Sequence, residues 1–200
     1  MHTFLPSISS VRSWTTINRE EIADCKVFSV HRNFSQREAG KSAHFYVFHP
    51  RDWVNVIPIT EDNQVILIEQ YRHGVEKITL EIPGGMVDSS DASTFIAAER
   101  ELLEETGYGG GETFFLGRNH PNPAIQSNVC DTYFSYGVKF IKAPQFDTNE
   151  ELAIKLVPFD AIPELINDGT ISHALVIVAF HYLAQFSRKN SRFEHLSRML

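Results

Sequence analysis

The chain has 200 residues, enough for one domain with at most a small annex. A hydrophobic share of 42% suits a packed core, and a net charge of −7 disfavours a nucleic-acid polymer as partner. Two cysteines, Cys25 and Cys130, supply neither a disulfide framework nor a cysteine-rich zinc site, so reduced thiols in a cytoplasmic protein are expected. The start, Met1-His2-Thr3-Phe4-Leu5-Pro6, lacks a basic segment followed by a long apolar run, and no secretory signal is expected.

Taken in chain order, residues 26–33 and 43–49 have strand character. The polar run Asn33 to Glu38 and the turn signal Gly40-Lys41-Ser42 separate them. Residues 54–60 are rich in β-branched side chains; Glu61-Asp62-Asn63 then turns the chain into residues 64–71, which predicts a hairpin. Residues 78–82 form a short strand ended by Pro83-Gly84-Gly85. Ser90 or Asp91 is expected to cap the helix that follows. In that helix Phe95 and Leu102, and Ile96 and Leu103, repeat at seven and make an apolar stripe. Gly107 supplies a left-handed terminus at little cost.

Strands are expected again at 113–116, 132–140 and 152–158. Pro158-Phe159-Asp160 leads into a short helix, and residues 171–188 form the last one. The apolar stretch 174–186 inside it is too short to span a bilayer and contains His181 and Gln185, so it predicts a buried helix and no membrane partner. There is no internal repeat. Pattern alone gives a mixed sheet flanked by helices, α/β or α+β.

The segment Arg100-Glu101-Leu102-Leu103-Glu104-Glu105-Thr106-Gly107-Tyr108 carries the chemistry. Glu101, Glu104 and Glu105 fall near one face of a helix, where three like charges repel. A solvated acidic face braced by Arg100 is the bland reading, and it would be preferred for an isolated glutamate pair. Hard divalent cations bind carboxylate oxygens and favour phosphate-bearing substrates, so the cluster reads as a metal site.

Residues Gly85 to Tyr108 resemble the signature of the Nudix hydrolases, G-x5-E-x7-R-E-U-x-E-E-x-G-U, with U a bulky apolar residue. Arg100, Glu101, Leu102, Glu104, Glu105, Gly107 and Tyr108 fill its second half. In the first half the family's Glu falls on Asp91 counting forward and on Ala92 counting back, as though one residue were inserted. Asp91, with its shorter side chain, is the better stand-in for a residue that supports the loop. Gln70-Tyr71-Arg72-His73-Gly74 and Leu80-Glu81-Ile82-Pro83-Gly84-Gly85 resemble the segments before this box in ADP-ribose pyrophosphatases. Pro123 matches a proline that follows the box in that subgroup.

The resemblance implies a Nudix-type α/β/α sandwich with a mixed sheet over residues 51–200 and a small β-rich annex over residues 1–50. It implies Mg²⁺, or Mn²⁺, held directly by Glu101 and Glu105, with Glu104 a further or water-mediated ligand. The Gly84 carbonyl would face the metal, and Arg100 would brace the loop and a glutamate. Glu150 or Glu151, in an acidic loop before a strand, would serve as metal ligand or general base; a plain surface loop is the alternative. Arg72 would clamp a phosphate and Glu81 would accept from a ribose hydroxyl or the adenine amine, the alternative for both being a strand-edge salt bridge. Pro123 would shape a loop near the terminal ribose, unless it marks a plain turn. The nine histidines are scattered and read as structural or surface groups.

The implied reaction is hydrolysis of the pyrophosphate bond of ADP-ribose or a related nucleoside diphosphate sugar, giving AMP, or another nucleoside monophosphate, and a sugar phosphate. The alternatives are a hydrolase of another nucleoside diphosphate derivative, such as a dinucleotide, and a non-catalytic Nudix-fold binding module. Residues 20–50 hold several aromatic residues in a segment too small for a core of its own, which predicts a homodimer with this segment at or near the interface. Folding back onto the same chain is the alternative.

Overall fold

The computed structural model describes residues 11–146 and 151–197. The chain divides into two compact units, Met1–Pro50 with Asn122–Asn128, and Arg51–Pro121 with Val129–Leu200.

The first unit is a three-stranded antiparallel sheet, ordered β1 (Thr15–Asp24), β2 (Phe28–Arg37), β3 (Lys41–Pro50). Strand β1 carries no apolar alternation and was not expected; all ten of its residues are exposed. Its backbone pairs with β2 from Thr15↔Gln36 to Asp24↔Ser29, so the neighbouring strand makes it a strand. The loop expected over Asn33 to Glu38 is largely the end of β2. Asn33 and Ser35 are buried while Arg32 and Gln36 are exposed, a period of two written in polar residues that a hydrophobic pattern does not show.

The second unit is built on β4 (Trp53–Ile59), β5 (Gln64–Arg72), β6 (Lys77–Glu81), β7 (Gly84–Met86), β9 (Glu112–Asn119), β10 (Cys130–Tyr136) and β12 (Leu152–Pro158). These strands make one sheet ordered β12-β5-β4-β10-β9, with β6 on β5 and β7 on β4. Only the β4–β10 pair is parallel, so the sheet is mixed. The strand expected over 132–140 ends at Tyr136. Gly137 turns the chain, and β11 (Lys139–Phe140) then pairs with β8 (Tyr108–Gly109).

Alternation along the central strands sorts the core into two layers. Val54, Val56 and Ile66 pack with Ala97, Ala98 and Leu102 of α1 (Thr94–Thr106). Ile57, Ile59, Val65, Leu67 and Phe134 pack on the other face with Val176, Ala179, Phe180 and Leu183 of α3 (Ala174–Arg188). Short helices α2 (Ile162–Asn167) and α4 (Glu194–Ser197) complete that layer through Ile162 and Leu196. The result is the α/β/α arrangement expected. No helix of the described residues is long and apolar enough to cross a membrane.

Helix α1 is capped by Ser93, whose Oγ accepts from Ile96 N–H at 3.3 Å, and not by Ser90 or Asp91. The Asp91 carboxylate is committed to Arg100 instead. The helix ends as expected at Gly107, with φ 74° and its N–H on the Leu103 carbonyl at 2.9 Å, a geometry a side chain would strain.

Candidate active site

A cleft of about 700 Å³ opens between α1, the β7 turn, the β5–β6 hairpin and the start of α3. Glu101, Glu104 and Glu105 all line it, because positions i, i+3 and i+4 share one helical face. Glu105 is only 4% exposed, and Gly84 N–H donates to its Oε2 at 2.8 Å. Glu101 lies against Gly85: a Cβ there would stand 2.6 Å from Oε1. At Gly84 a Cβ would stand 2.3 Å from the Val54 carbonyl oxygen. The Gly84-Gly85 pair is thus what lets two carboxylates and a sheet edge meet.

Arg100 organises this end. Its Nε donates to Asp91 Oδ1 at 3.1 Å; Nη2 donates to Asp91 Oδ2 at 2.9 Å and to the Met86 carbonyl at 3.1 Å. Nη1 donates to Glu101 Oε1 at 2.9 Å and Glu104 Oε2 at 3.0 Å. A guanidinium has five N–H groups, and each has an acceptor here. Hydrogen bonding to Asp91 raises the Arg100 pKa further above its ordinary value, although burial opposes it. Asp91, 4% exposed at its side chain, is held below the usual carboxylate range first by the Arg100 bonds, then by Asp88 N–H and the Arg100 charge, against desolvation.

The opposite end is built around Glu81, 2% exposed. Arg72 donates to it side-on, Nε to Oε1 at 2.9 Å and Nη2 to Oε2 at 2.8 Å. Thr79 Oγ1 donates to Oε1 at 2.6 Å, and His173 Nδ1 lies 2.8 Å from Oε2. Burial pushes the Glu81 carboxyl up, but the Arg72 and His173 bonds, the Arg72 charge and Thr79 outweigh it and hold it well below the usual range.

A NUDIX domain model matches residues 49–179. The chain belongs to the Nudix family. Within it the chain is similar to ADP-ribose pyrophosphatases and ADP compounds hydrolases. It is 27% identical to a methanol dehydrogenase activator of Bacillus methanolicus, over 84% of this chain and 91% of that protein. Identity to the ADP compounds hydrolase NudE of Escherichia coli is 25%, over 92% of this chain and 98% of the relative. The fold matches a crystal structure of an ADP compounds hydrolase with a TM-score of 0.81, at 24% identity, over 92% of this chain and 100% of that one. The protein is thus a Nudix pyrophosphatase by family, with the mixed-sheet Nudix fold.

Of the Nudix residues expected from sequence, Arg72, Glu81, Gly84, Arg100, Glu101, Glu104 and Glu105 line this cleft together. Asp91, the expected stand-in for the family's Glu, accepts two bonds from Arg100 through its carboxylate. Glu151 is exposed ahead of β12 and is not among the described residues that line the cleft; Glu150 lies outside the described residues. Pro123 falls in the Asn122–Asn128 segment that groups with the N-terminal unit. His173 was read from sequence as structural or surface, yet it lines the cleft and touches Glu81. No motif marks it; the one signal is its place just before the apolar run of α3. Gln145 was also missed: it lines the cleft, and its N–H donates to the Glu104 carbonyl at 2.7 Å.

The donor set near β7 consists of hard oxygens, which suits Mg²⁺ or Mn²⁺ rather than a soft metal. Among the described residues no three or more histidine, cysteine or acidic side chains stand together as a group that could hold a metal ion.

Proposed function

We propose that this Nudix hydrolase cleaves the pyrophosphate bond of ADP-ribose, or of a related nucleoside diphosphate sugar, in a Mg²⁺-dependent reaction. The products are AMP, or another nucleoside monophosphate, and a sugar phosphate. The observation that carries the reading is the pairing, in one cleft, of a carboxylate-rich wall on α1 with an arginine-centred wall at Arg72.

Glu101 and Glu105 would hold the cation, with Glu104 and the Gly84 carbonyl in support. Bound there, a divalent ion supplies charge neutralisation and Lewis acidity to the diphosphate. Arg100 holds Glu101 and Glu104 in place and reduces their mutual repulsion. Arg72 meets the anionic part of the substrate from the other wall. Glu150 or Glu151 is assigned the proton of the attacking water. Trp53, Val75 and Leu175 add apolar surface to the cleft lining.

The test is a panel of ADP-ribose, other nucleoside diphosphate sugars, a dinucleotide and nucleoside triphosphates, incubated with Mg²⁺ and resolved by chromatography. AMP and ribose 5-phosphate from ADP-ribose, at the highest kcat/KM in the panel, is the expected result. Equal or better kcat/KM on triphosphates sinks the substrate assignment, and no turnover of any diphosphate sinks the reaction.

The same reading includes a homodimer with residues 20–50 at or near its interface, in a cytoplasmic setting. The fully exposed β1 and the exposed Trp14, Ile17, Ile22, Phe45 and Tyr46 support it. Light scattering at micromolar concentration decides: a monomeric mass with full activity removes the dimer.

A further inference from the structure

The four contacts on Glu81 have a chemical limit. A carboxylate offers about four lone-pair sites. Arg72 Nε and Thr79 Oγ1 occupy Oε1, and Arg72 Nη2 and His173 Nδ1 occupy Oε2. The side chain is 3% exposed. Glu81 is therefore filled by protein donors, and what it does for a ligand runs through the groups it holds.

His173 is the donor that comes from farthest away, 92 residues along the chain. It occupies the N-cap position of α3 with extended backbone, yet its side chain makes no capping bond. The ring is committed to Glu81 instead. An ionised carboxylate can only accept, so the proton of this bond belongs to Nδ1. The bond ties the start of α3 to the end of β6. It also closes the side of Glu81 Oε2 that Arg72 leaves open, so the carboxylate cannot swing away from the guanidinium without losing it.

We propose that His173 is a positioning residue of the substrate cleft: by holding Glu81 it fixes the plane of the Arg72 guanidinium that meets the diphosphate. The last clause rests on the substrate reading above; the positioning of Arg72 does not. This role differs from direct contact of Glu81 with a hydroxyl or an amine. It makes His173 part of the binding machinery through Glu81 and Arg72 rather than through the metal wall.

Two measurements separate the proposal from a merely structural histidine. The first needs no substrate. The Arg72 Nε–H resonance, assigned by its loss in Arg72→Met, should be protected from exchange in the wild type and lose that protection in His173→Ala. Protection should return in His173→Asn, whose amide can donate from about the Nδ1 position. The second is a double-mutant cycle on the dissociation constant for ADP-ribose, measured in chelator so that hydrolysis does not intervene. His173→Ala should weaken binding about tenfold, and His173→Asn by no more than about threefold. On an Arg72→Met background His173→Ala should cost less than about twofold more.

Unchanged Arg72 Nε–H protection in His173→Ala overturns the proposal. So does a His173→Ala loss that appears in full on the Arg72→Met background. If the wild type binds no ADP-ribose in chelator, the resonance alone decides the role of His173, and the substrate reading stands or falls on the Mg²⁺ panel above.

Discussion

At one end of the cleft an arginine is ringed by carboxylates; at the other a carboxylate is ringed by bases. Arg100 faces Asp88, Asp91, Glu101 and Glu104, with Glu105 of α1 nearby, accepting from Gly84 N–H of β7, so acid is in excess. Glu81 faces Arg72, which balances its charge, and His173, which donates to it. Each hub has its own hydrogen-bonding capacity filled, and each fixes neighbours rather than reaching for a ligand. The difference lies in what is left over, and on the proposed function it suits one wall to a cation and the other, through Arg72, to an anion. A bound metal and a diphosphate need both, because each neutralises charge the other brings.

The largest expected effect comes from removing an oxygen charge at the acidic end. Glu105→Gln keeps an acceptor for Gly84 N–H, so the fold should hold with a melting temperature within a few degrees. Its kcat on ADP-ribose should fall by roughly two to four orders of magnitude, the range expected when a catalytic cation loses a charged ligand. Near wild-type turnover in both Glu105→Gln and Glu101→Gln would mean the acidic wall is only a solvated face.

Next comes the hub itself. Arg100→Met leaves the Asp91 carboxylate without its counter-charge and frees Glu101 and Glu104 to repel. It should cost about 2–4 kcal/mol in urea denaturation, below the full cost of a deeply buried pair because Arg100 is a quarter exposed. A cost under about 1 kcal/mol would show that the acids do not need their arginine.

The two hubs should also share an acid limb. The folded pKa values of Glu81 and Asp91 both lie below the ordinary ones of 4.5 and 3.8. A depressed carboxylate stabilises the fold fully above its unfolded pKa, and that contribution drains as pH falls through the folded value. Melting temperature should therefore drop as pH is lowered from about 5 to 3 in the wild type and drop less steeply in Glu81→Gln. Parallel curves for the two proteins would contradict the ion-pair account of Glu81.

The smallest effect concerns the loop that braces Arg100. Asp91→Glu restores the family's residue, but this loop has one residue more and the side chain is 4% exposed. The longer acid should overpack and cost about 1 kcal/mol, measured by chemical denaturation. A gain in stability would show that the extra residue does not compensate for the shorter acid.

The acidic wall was legible in the chain because its geometry is local. Helical periodicity alone puts Glu101, Glu104 and Glu105 on one face, and Gly84-Gly85 announces a backbone close to them. The β4–β5 hairpin, the stop at Gly107 and the apolar α3 are local in the same sense. The loop from Asp88 to Asp91 was legible only in part: counting leaves Asp91 and Ala92 open for the family's Glu, and it does not show that Asp91 accepts two bonds from Arg100.

What the tertiary structure decided are partnerships between residues far apart in sequence. Strand β1 has no pattern of its own and is a strand because β2 lies beside it. Ser93 rather than Asp91 caps α1, because Arg100 claims the aspartate first. Segment Asn122–Asn128, with Pro123, groups with the N-terminal unit, a choice no local signal makes. His173 reaches Glu81 only once α3 has packed against the sheet through Val176, Ala179 and Phe180. Periodicity records which face of an element is buried, but not which distant side chain will fill the last lone pair of a buried carboxylate.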